Sequence, residues 1–251
     1  MSPERGGAER TPFEQRWRSR FEEYAHSCED DAGIAGWSTT GLDARVRRFL
    51  GLWKPEAGRR RWLDAGCGAG TYTQILLRHG LQVMSVDYSL PTLRKAGGRG
   101  LTSGTLAVAD VRRLPFRPGT FDGVLCLGVT QALSESGAAV RELAGQVRPG
   151  GELWVDALNR WCLVHAYELF KRWLRGYPIH LRYESPSGLK RLLREAGLRN
   201  VRLHWMPIVP ARWYGLQRLI ESRPVSFALR FVPPLGMLAS HAFIVRAEKG
   251  A

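Results

Sequence analysis

Arg61-Trp62-Leu63-Asp64-Ala65-Gly66-Cys67-Gly68-Ala69-Gly70-Thr71-Tyr72 is the stretch whose reading decides the fold. Its apolar start reads as a buried strand with an acid at its end. Its three glycines allow a sharp turn into a new helix. Such a turn brings main-chain N–H groups close to a ligand at the helix start. Further on, Val83-Met84-Ser85-Val86-Asp87 sets a second acid at the end of a second apolar strand. In doubly wound sheets that position holds a ribose. The two strand ends together imply a nucleoside-containing cofactor.

The order of the glycines narrows the choice. A dinucleotide fingerprint runs Gly-x-Gly-x-x-Gly/Ala. Here the order is Gly66-x-Gly68-x-Gly70, with Thr71 following. Asp64 would repel a pyrophosphate, whereas a carboxylate suits a cofactor that carries an ammonium and a sulfonium. Residues 63–70 resemble the first motif of the class I S-adenosylmethionine-dependent methyltransferases. Later segments resemble that family in the same order. Ala107-Val108-Ala109-Asp110-Val111-Arg112-Arg113-Leu114-Pro115-Phe116 is similar to its third-strand motif, and Phe121-Asp122-Gly123-Val124-Leu125-Cys126-Leu127 to its fourth strand. Residues 142–155 resemble its helix, Pro-Gly-Gly turn and fifth strand, residues 187–198 the following helix, and residues 241–247 the last strand.

The resemblance implies an α/β fold: a Rossmann-like, doubly wound, mostly parallel seven-stranded sheet with an antiparallel last strand, plus helical cap insertions. It implies S-adenosyl-L-methionine as cofactor. On the matching positions, Asp64 anchors the methionyl ammonium directly or through water, and Gly66, Cys67, Gly68 and Gly70 allow close backbone approach. Asp87 accepts the ribose hydroxyls, Tyr88 covers the adenine, Asp110 and Val111 read its edge, and Leu127 lines the cofactor.

A length of 251 residues with 44% hydrophobic content supports one core with insertions. We expect a disordered polar tail over residues 1–10, a helical lid over 11–58, and the core over 59–251. Acceptor-site insertions are expected at 159–184 and 206–238. No apolar run reaches the roughly 18 residues of a membrane span, and residues 1–10 have no apolar signal segment. Cys28, Cys67, Cys126 and Cys162 are scattered without metal-ligand or disulfide spacing. That pattern points away from a metal site and towards a reducing cytoplasm, with peripheral membrane contact left open.

The formal charge is +14, and with five lysines nearly all of the positive charge is arginine. Such charge suits nucleic acid or an anionic membrane surface, or it is simply spread over solvated faces. Its dispersal from Arg16 to Arg246 weakens the case for a dedicated RNA-binding stripe. Enzymes that methylate nucleobase amino groups carry an Asn/Asp-Pro-Pro-aromatic motif after the fourth strand. Leu127-Gly128-Val129-Thr130-Gln131 lacks it, although Thr130 and Gln131 suit a polar contact to cofactor or acceptor.

Phe13, Trp17, Phe21 and Tyr24 form one apolar stripe of a predicted helix. A second helix is predicted over 41–53 with Leu42, Val46, Phe49 and Leu50 inward, and 30–38 reads as a loop between them. These helices either cap the cofactor or simply pack on the sheet. Tyr24 and Trp37, beside the loop, are candidate ligand contacts. Both insertions are aromatic and basic. They form either a hydrophobic acceptor pocket, for an acceptor with an anionic group or at a membrane surface, or a second small core.

Methyl transfer from a sulfonium is an in-line displacement in which alignment supplies about 7–11 kcal/mol. A hydroxyl acceptor also needs its proton removed. His180 is the first candidate for the base and His165 the second. Glu184 and Asp156 lie nearby, and orientation alone is a further possibility. His204 and His241 are assigned to edge strands as structural residues. The reading is methyl transfer to a small or lipid-like acceptor, by O-methylation. An RNA methyltransferase and a catalytically silent cofactor-binding protein are the alternatives. Oligomeric state leaves no signature in the sequence.

Overall fold

The computed structural model describes residues 11–101, 105–176, 181–209 and 211–250. The tail expected over 1–10, and His180, lie outside the described residues. The strands are β1 (Arg61–Ala65), β2 (Gln82–Asp87), β3 (Leu106–Val108), β4 (Phe121–Cys126), β5 (Val147–Leu158), β6 (Leu198–Met206) and β7 (Ala242–Lys249). They form one sheet in the order β3-β2-β1-β4-β5-β7-β6. β1 to β5 pair in parallel, and β7 runs antiparallel to both β5 and β6. This is the Rossmann-like sheet expected. The chain runs outward from β1 through β2 to β3, then returns to place β4 on the other side of β1. The crevice at that reversal is where open α/β sheets bind ligands.

Alternation along the strands fills both faces of the sheet. Trp62, Leu125, Trp154 and Ile244 pack with Phe49, Tyr72 and Leu76 on one face. Leu63, Val124, Val155 and Phe243 pack with Val140, Leu143, Leu189 and Leu193 on the other. The helices behind these contacts are α3 (Thr39–Leu52) and α4 (Thr71–Arg78) on the first face. On the second they are α6 (Gly137–Gln146) and α8 (Pro186–Glu195). α5 (Leu90–Gly98) connects β2 to β3.

Ahead of the sheet, α1 (Pro12–Ser27) opens with a capping box between Thr11 and Glu14. The stretch 30–38, expected as a loop, contains a helical turn, α2 (Asp31–Ile34). Asp30 caps it by accepting the Gly33 N–H at 2.7 Å, an Asx arrangement that favours a helix start. Leu50, expected inward, is 37% exposed, because the buried face of α3 runs through Leu42, Ala44, Arg45 and Phe49.

Of the two insertions, the first carries α7 (Leu163–Arg175). The second carries a 3-10 turn, α9 (Gln217–Ile220), α10 (Arg223–Phe231) and α11 (Pro233–Ala239). His241 does not sit in an edge strand. It immediately precedes β7, which lies inside the sheet between β5 and β6, and only His204 is on edge strand β6. Antiparallel β7 therefore starts at the carboxyl edge of β5 and β6, where Ala242 pairs with Leu158 and Met206. That places His241 at the ligand-binding edge.

Candidate active site

The glycine turn spends its own N–H groups. Gly66 and Cys67 donate to Val86 O at 2.7 and 2.9 Å, Gly68 to Asp87 Oδ2 at 3.0 Å, and Gly70 to Cys67 O at 2.9 Å. A pyrophosphate would need such donors free. Gly66 has φ +78°, and a Cβ there would lie 2.2 Å from Val129 Cγ2, so the turn closes only around glycine. At the start of α4, Thr71 Oγ1 donates to Asp31 of α2, and Arg99 pairs with the same carboxylate. The spot where a phosphate would meet that helix already carries a negative charge.

The strand-end acids differ in setting. Asp87 takes one N–H on each oxygen, from Gly68 and from Ser89 at 2.9 Å, and keeps lone pairs for further donors. Burial raises its pKa despite those bonds. Asp64 is 2% exposed and accepts the Thr73 hydroxyl at 2.7 Å. Burial, with the charge of Asp87 added, pushes it up to about 7. It stands behind the cleft rather than among its lining side chains. Asp110 is clamped by Arg112, Nη2 to Oδ2 at 2.8 Å and Nε to Oδ1 at 3.1 Å.

These groups border a cleft of about 120 Å³ that opens to solvent. Of the predicted cofactor residues, Gly66, Cys67, Gly68, Asp87, Tyr88, Asp110, Val111, Leu127 and Trp37 line it. Gly70 does not; it caps α4 from behind. Tyr24 packs against Phe21 and Gly36 instead. Sequence reasoning missed Glu14, Arg18, Asp31 and Tyr72, which also line the cleft. Glu14, Arg18 and Asp31 reach it because α1 and α2 fold over the sheet, and Tyr72 because α4 follows the glycine turn directly. Two buried donors that border the cleft, the Tyr72 hydroxyl and Trp37 Nε1, have no partner in the protein. Buried polar groups are rarely left so, which fits a polar ligand between them.

A methyltransferase domain family matches residues 63–155. A ubiquinone biosynthesis O-methyltransferase of Idiomarina loihiensis is 29% identical over 167 residues, 62% of this chain and 69% of the relative. One from Xanthomonas euvesicatoria pv. vesicatoria is 29% identical over 189 residues, 71% of this chain and 78% of the relative. Magnesium protoporphyrin IX methyltransferase of Synechocystis PCC 6803, solved with bound SAH, shares the fold. Its TM-score is 0.60 at 15% identity, covering 95% of this chain and 100% of that one. The chain is a class I S-adenosylmethionine-dependent methyltransferase. Its cofactor is S-adenosylmethionine, and the cleft's carboxylates and unpartnered donors suit that cationic nucleoside.

The methyltransferase has a second chamber against the first, of about 260 Å³ and open to solvent on one side. Trp17 and Trp37 line both spaces, so they form a shared wall. Trp37 is held there by contact with Gly128, where φ is +83° and a Cβ would meet its ring at 2.2 Å. The Arg45 guanidinium lies over the Trp37 ring, 4.2 Å from its centre. Leu158, Leu181 and Ile208 make the chamber apolar, while Ser38, Arg45, Gln131 and His241 supply polar groups. Thr130 faces away and donates to Asp156 O at 2.8 Å.

The predicted bases fare differently in the methyltransferase. His165 is buried and stacked on Tyr183 at 3.5 Å between ring centres. Burial, then the charge of Arg160, lowers its pKa, and it lines neither space. Asp156 is paired with Arg45, and Glu184 with Arg182 at 2.6 Å and with Ser136. Among the described residues, no group of three or more His, Cys, Asp or Glu side chains could hold a metal ion. No described helix is long and apolar enough to cross a membrane.

Proposed function

We propose that the methyltransferase O-methylates a small, largely apolar acceptor bearing a phenol-like hydroxyl, seated in the chamber behind Trp37. The observation that carries this reading is that Trp17 and Trp37 line both that chamber and the cofactor cleft, so the two spaces adjoin. The relatives named for ubiquinone biosynthesis support a hydroxyl acceptor over RNA or a silent role. The bound cofactor supplies an electrophilic methyl group. In the cleft, Asp87 holds the ribose hydroxyls, Tyr88 covers the adenine with Asp110 and Val111 at its edge, and Leu127 and Gly66–Gly68 shape the approach. Asp64 acts on the methionyl ammonium from behind the turn, and Trp37 and Trp17 exclude water from the reacting atoms. The test is transfer of labelled methyl to substituted phenols and catechols. Transfer to RNA with no phenol methylated would overturn the reading.

A lipid-like acceptor would be met at a membrane, and exposed apolar side chains on each insertion support that reading. Trp161, Leu163, Phe170, Trp173 and Leu174 on and before α7, and Phe227 and Phe231 on α10, are all more than half exposed. Arg160, Lys171, Arg172 and Arg175 border the α7 residues in sequence. Apolar side chains flanked by basic ones suit an anionic bilayer surface. Sedimentation with anionic vesicles, lost on Trp173→Glu and absent with neutral vesicles, checks this. Equal binding to both vesicle types would speak against it.

A further inference from the structure

Within the chamber, proton-accepting chemistry is concentrated on one side chain. Arg45 is a cation engaged with Asp156, and Gln131 is an amide. The other side chains of the described wall are apolar apart from Ser38 and the Trp17 and Trp37 indoles. His241 remains. It stands at the carboxyl edge of the sheet, fixed by its own carbonyl, which accepts the Asn159 N–H at 2.8 Å. Its Nδ1 lies 3.9 Å from Cys162 Sγ. That sulfur already accepts the His165 N–H at 3.3 Å as the cap of α7. With Nδ1 turned to Cys162, Nε2 is the ring nitrogen left to take a proton from an acceptor.

We infer that His241 is the base that receives the acceptor's hydroxyl proton. The inference rests on the O-methylation reading above. The acceptor oxygen bonds to the methyl carbon while the carbon–sulfur bond breaks and its electron pair passes to sulfur. The hydroxyl proton moves to Nε2 of His241, and the imidazolium later releases it to solvent. The groups around His241 are Arg45 from α3, Cys162, His165 and Glu168 from α7 and its cap, and Tyr183 at 6.0 Å between ring centres. Burial, then Arg45 and His165, lowers its pKa to about 4, against a smaller opposing pull from Glu168. The imidazole is therefore uncharged and able to accept at neutral pH. Arg45 weakens it as a base, but the same cation favours the oxyanion that forms as the proton leaves.

The test uses His241→Gln and His241→Ala in the full chain, with phenols whose ring substituents lower the hydroxyl pKa from about 10 to about 7. For the least acidic phenol, kcat/KM should fall about 10²- to 10⁴-fold. For phenols already ionised at the assay pH the loss should be under about tenfold, and added imidazole should partly rescue His241→Ala. Calorimetry with S-adenosylhomocysteine should show unchanged affinity. A uniform loss across the phenols, or wild-type rates in both variants, overturns the role of His241 while leaving O-methylation standing. Wild-type protein that methylates none of the phenols removes the acceptor class, and His241 as its base falls with it. If His241→Gln does not fold, His241→Asn and the imidazole rescue carry the same comparison.

Discussion

Arg45 Nε lies 3.2 Å from Asp156 Oδ2, and the two side chains are only 5% and 2% exposed. Asp156 Oδ1 accepts the Gly128 N–H at 2.6 Å. One ion pair thus joins α3, the end of β5, the residue beyond β4 and, through the stacked guanidinium, Trp37. Burial raises the pKa of Asp156, and the charge of Arg45 opposes that rise. Removing one partner of a buried pair leaves the other charge stranded, at a cost of about 3–5 kcal/mol. Arg45→Ala should lose that much stability in urea melts. Adding Asp156→Asn should return part of it, a coupling that independent sites would not show.

Gly128 is a steric hinge for Trp37. In Gly128→Ala the methyl group would collide with the indole, in a backbone region that disfavours side chains. S-adenosylhomocysteine affinity should fall at least about tenfold, equivalent to ~1.4 kcal/mol. Titration calorimetry reads this directly, and an unchanged affinity would show that Trp37 does not seal the cleft.

Glu14 latches α1 to the core. Its Oε1 accepts the Ser134 N–H at 3.0 Å and hydroxyl at 2.7 Å, and its Oε2 accepts Arg112 Nη1 at 2.9 Å. Burial pushes its pKa up, but the Ser134 bonds and the Arg112 charge outweigh that and leave it lowered. A depressed carboxylate stabilises the fold above its unfolded pKa, near 4.5, and loses that contribution as pH falls through the folded value. Hydrogen-exchange protection of α1, taken against the intrinsic amide rate at each pH, should fall on acidification below that point. Glu14→Ala should cost about 1–3 kcal/mol and remove this pH response.

Asp64 carries the opposite sign. Its pKa of about 7 in the folded protein, against 3.8 ordinarily, makes its contribution to stability fall as pH rises between those values. An ammonium held near it favours the ionised form, and S-adenosylhomocysteine keeps that ammonium. Binding of S-adenosylhomocysteine should therefore tighten as pH rises towards about 7 and release protons below it. Calorimetry in buffers of different ionisation heat counts those protons, and Asp64→Asn should abolish most of the count.

The sheet, the glycine turn and the acids at the ends of β1 and β2 were legible along the chain. They depend on alternation over a few residues and on the backbone freedom of neighbouring glycines, which are short-range properties. The α2 helical turn was overlooked because Asp30 starts it within only four residues. The edge placement of the strand after His241 fails because strand order is a long-range fact. The second side of the site was out of reach for the same reason. Arg45 and Asp156 are 111 positions apart, and Glu14 and Arg112 are 98. By itself the sequence determined a nucleoside cleft at the carboxyl edge of a parallel sheet, since that needs only local geometry repeated in order. The tertiary structure alone decided which side chains close the cleft and which histidine enters the neighbouring chamber, because those contacts exist only after distant segments pack together.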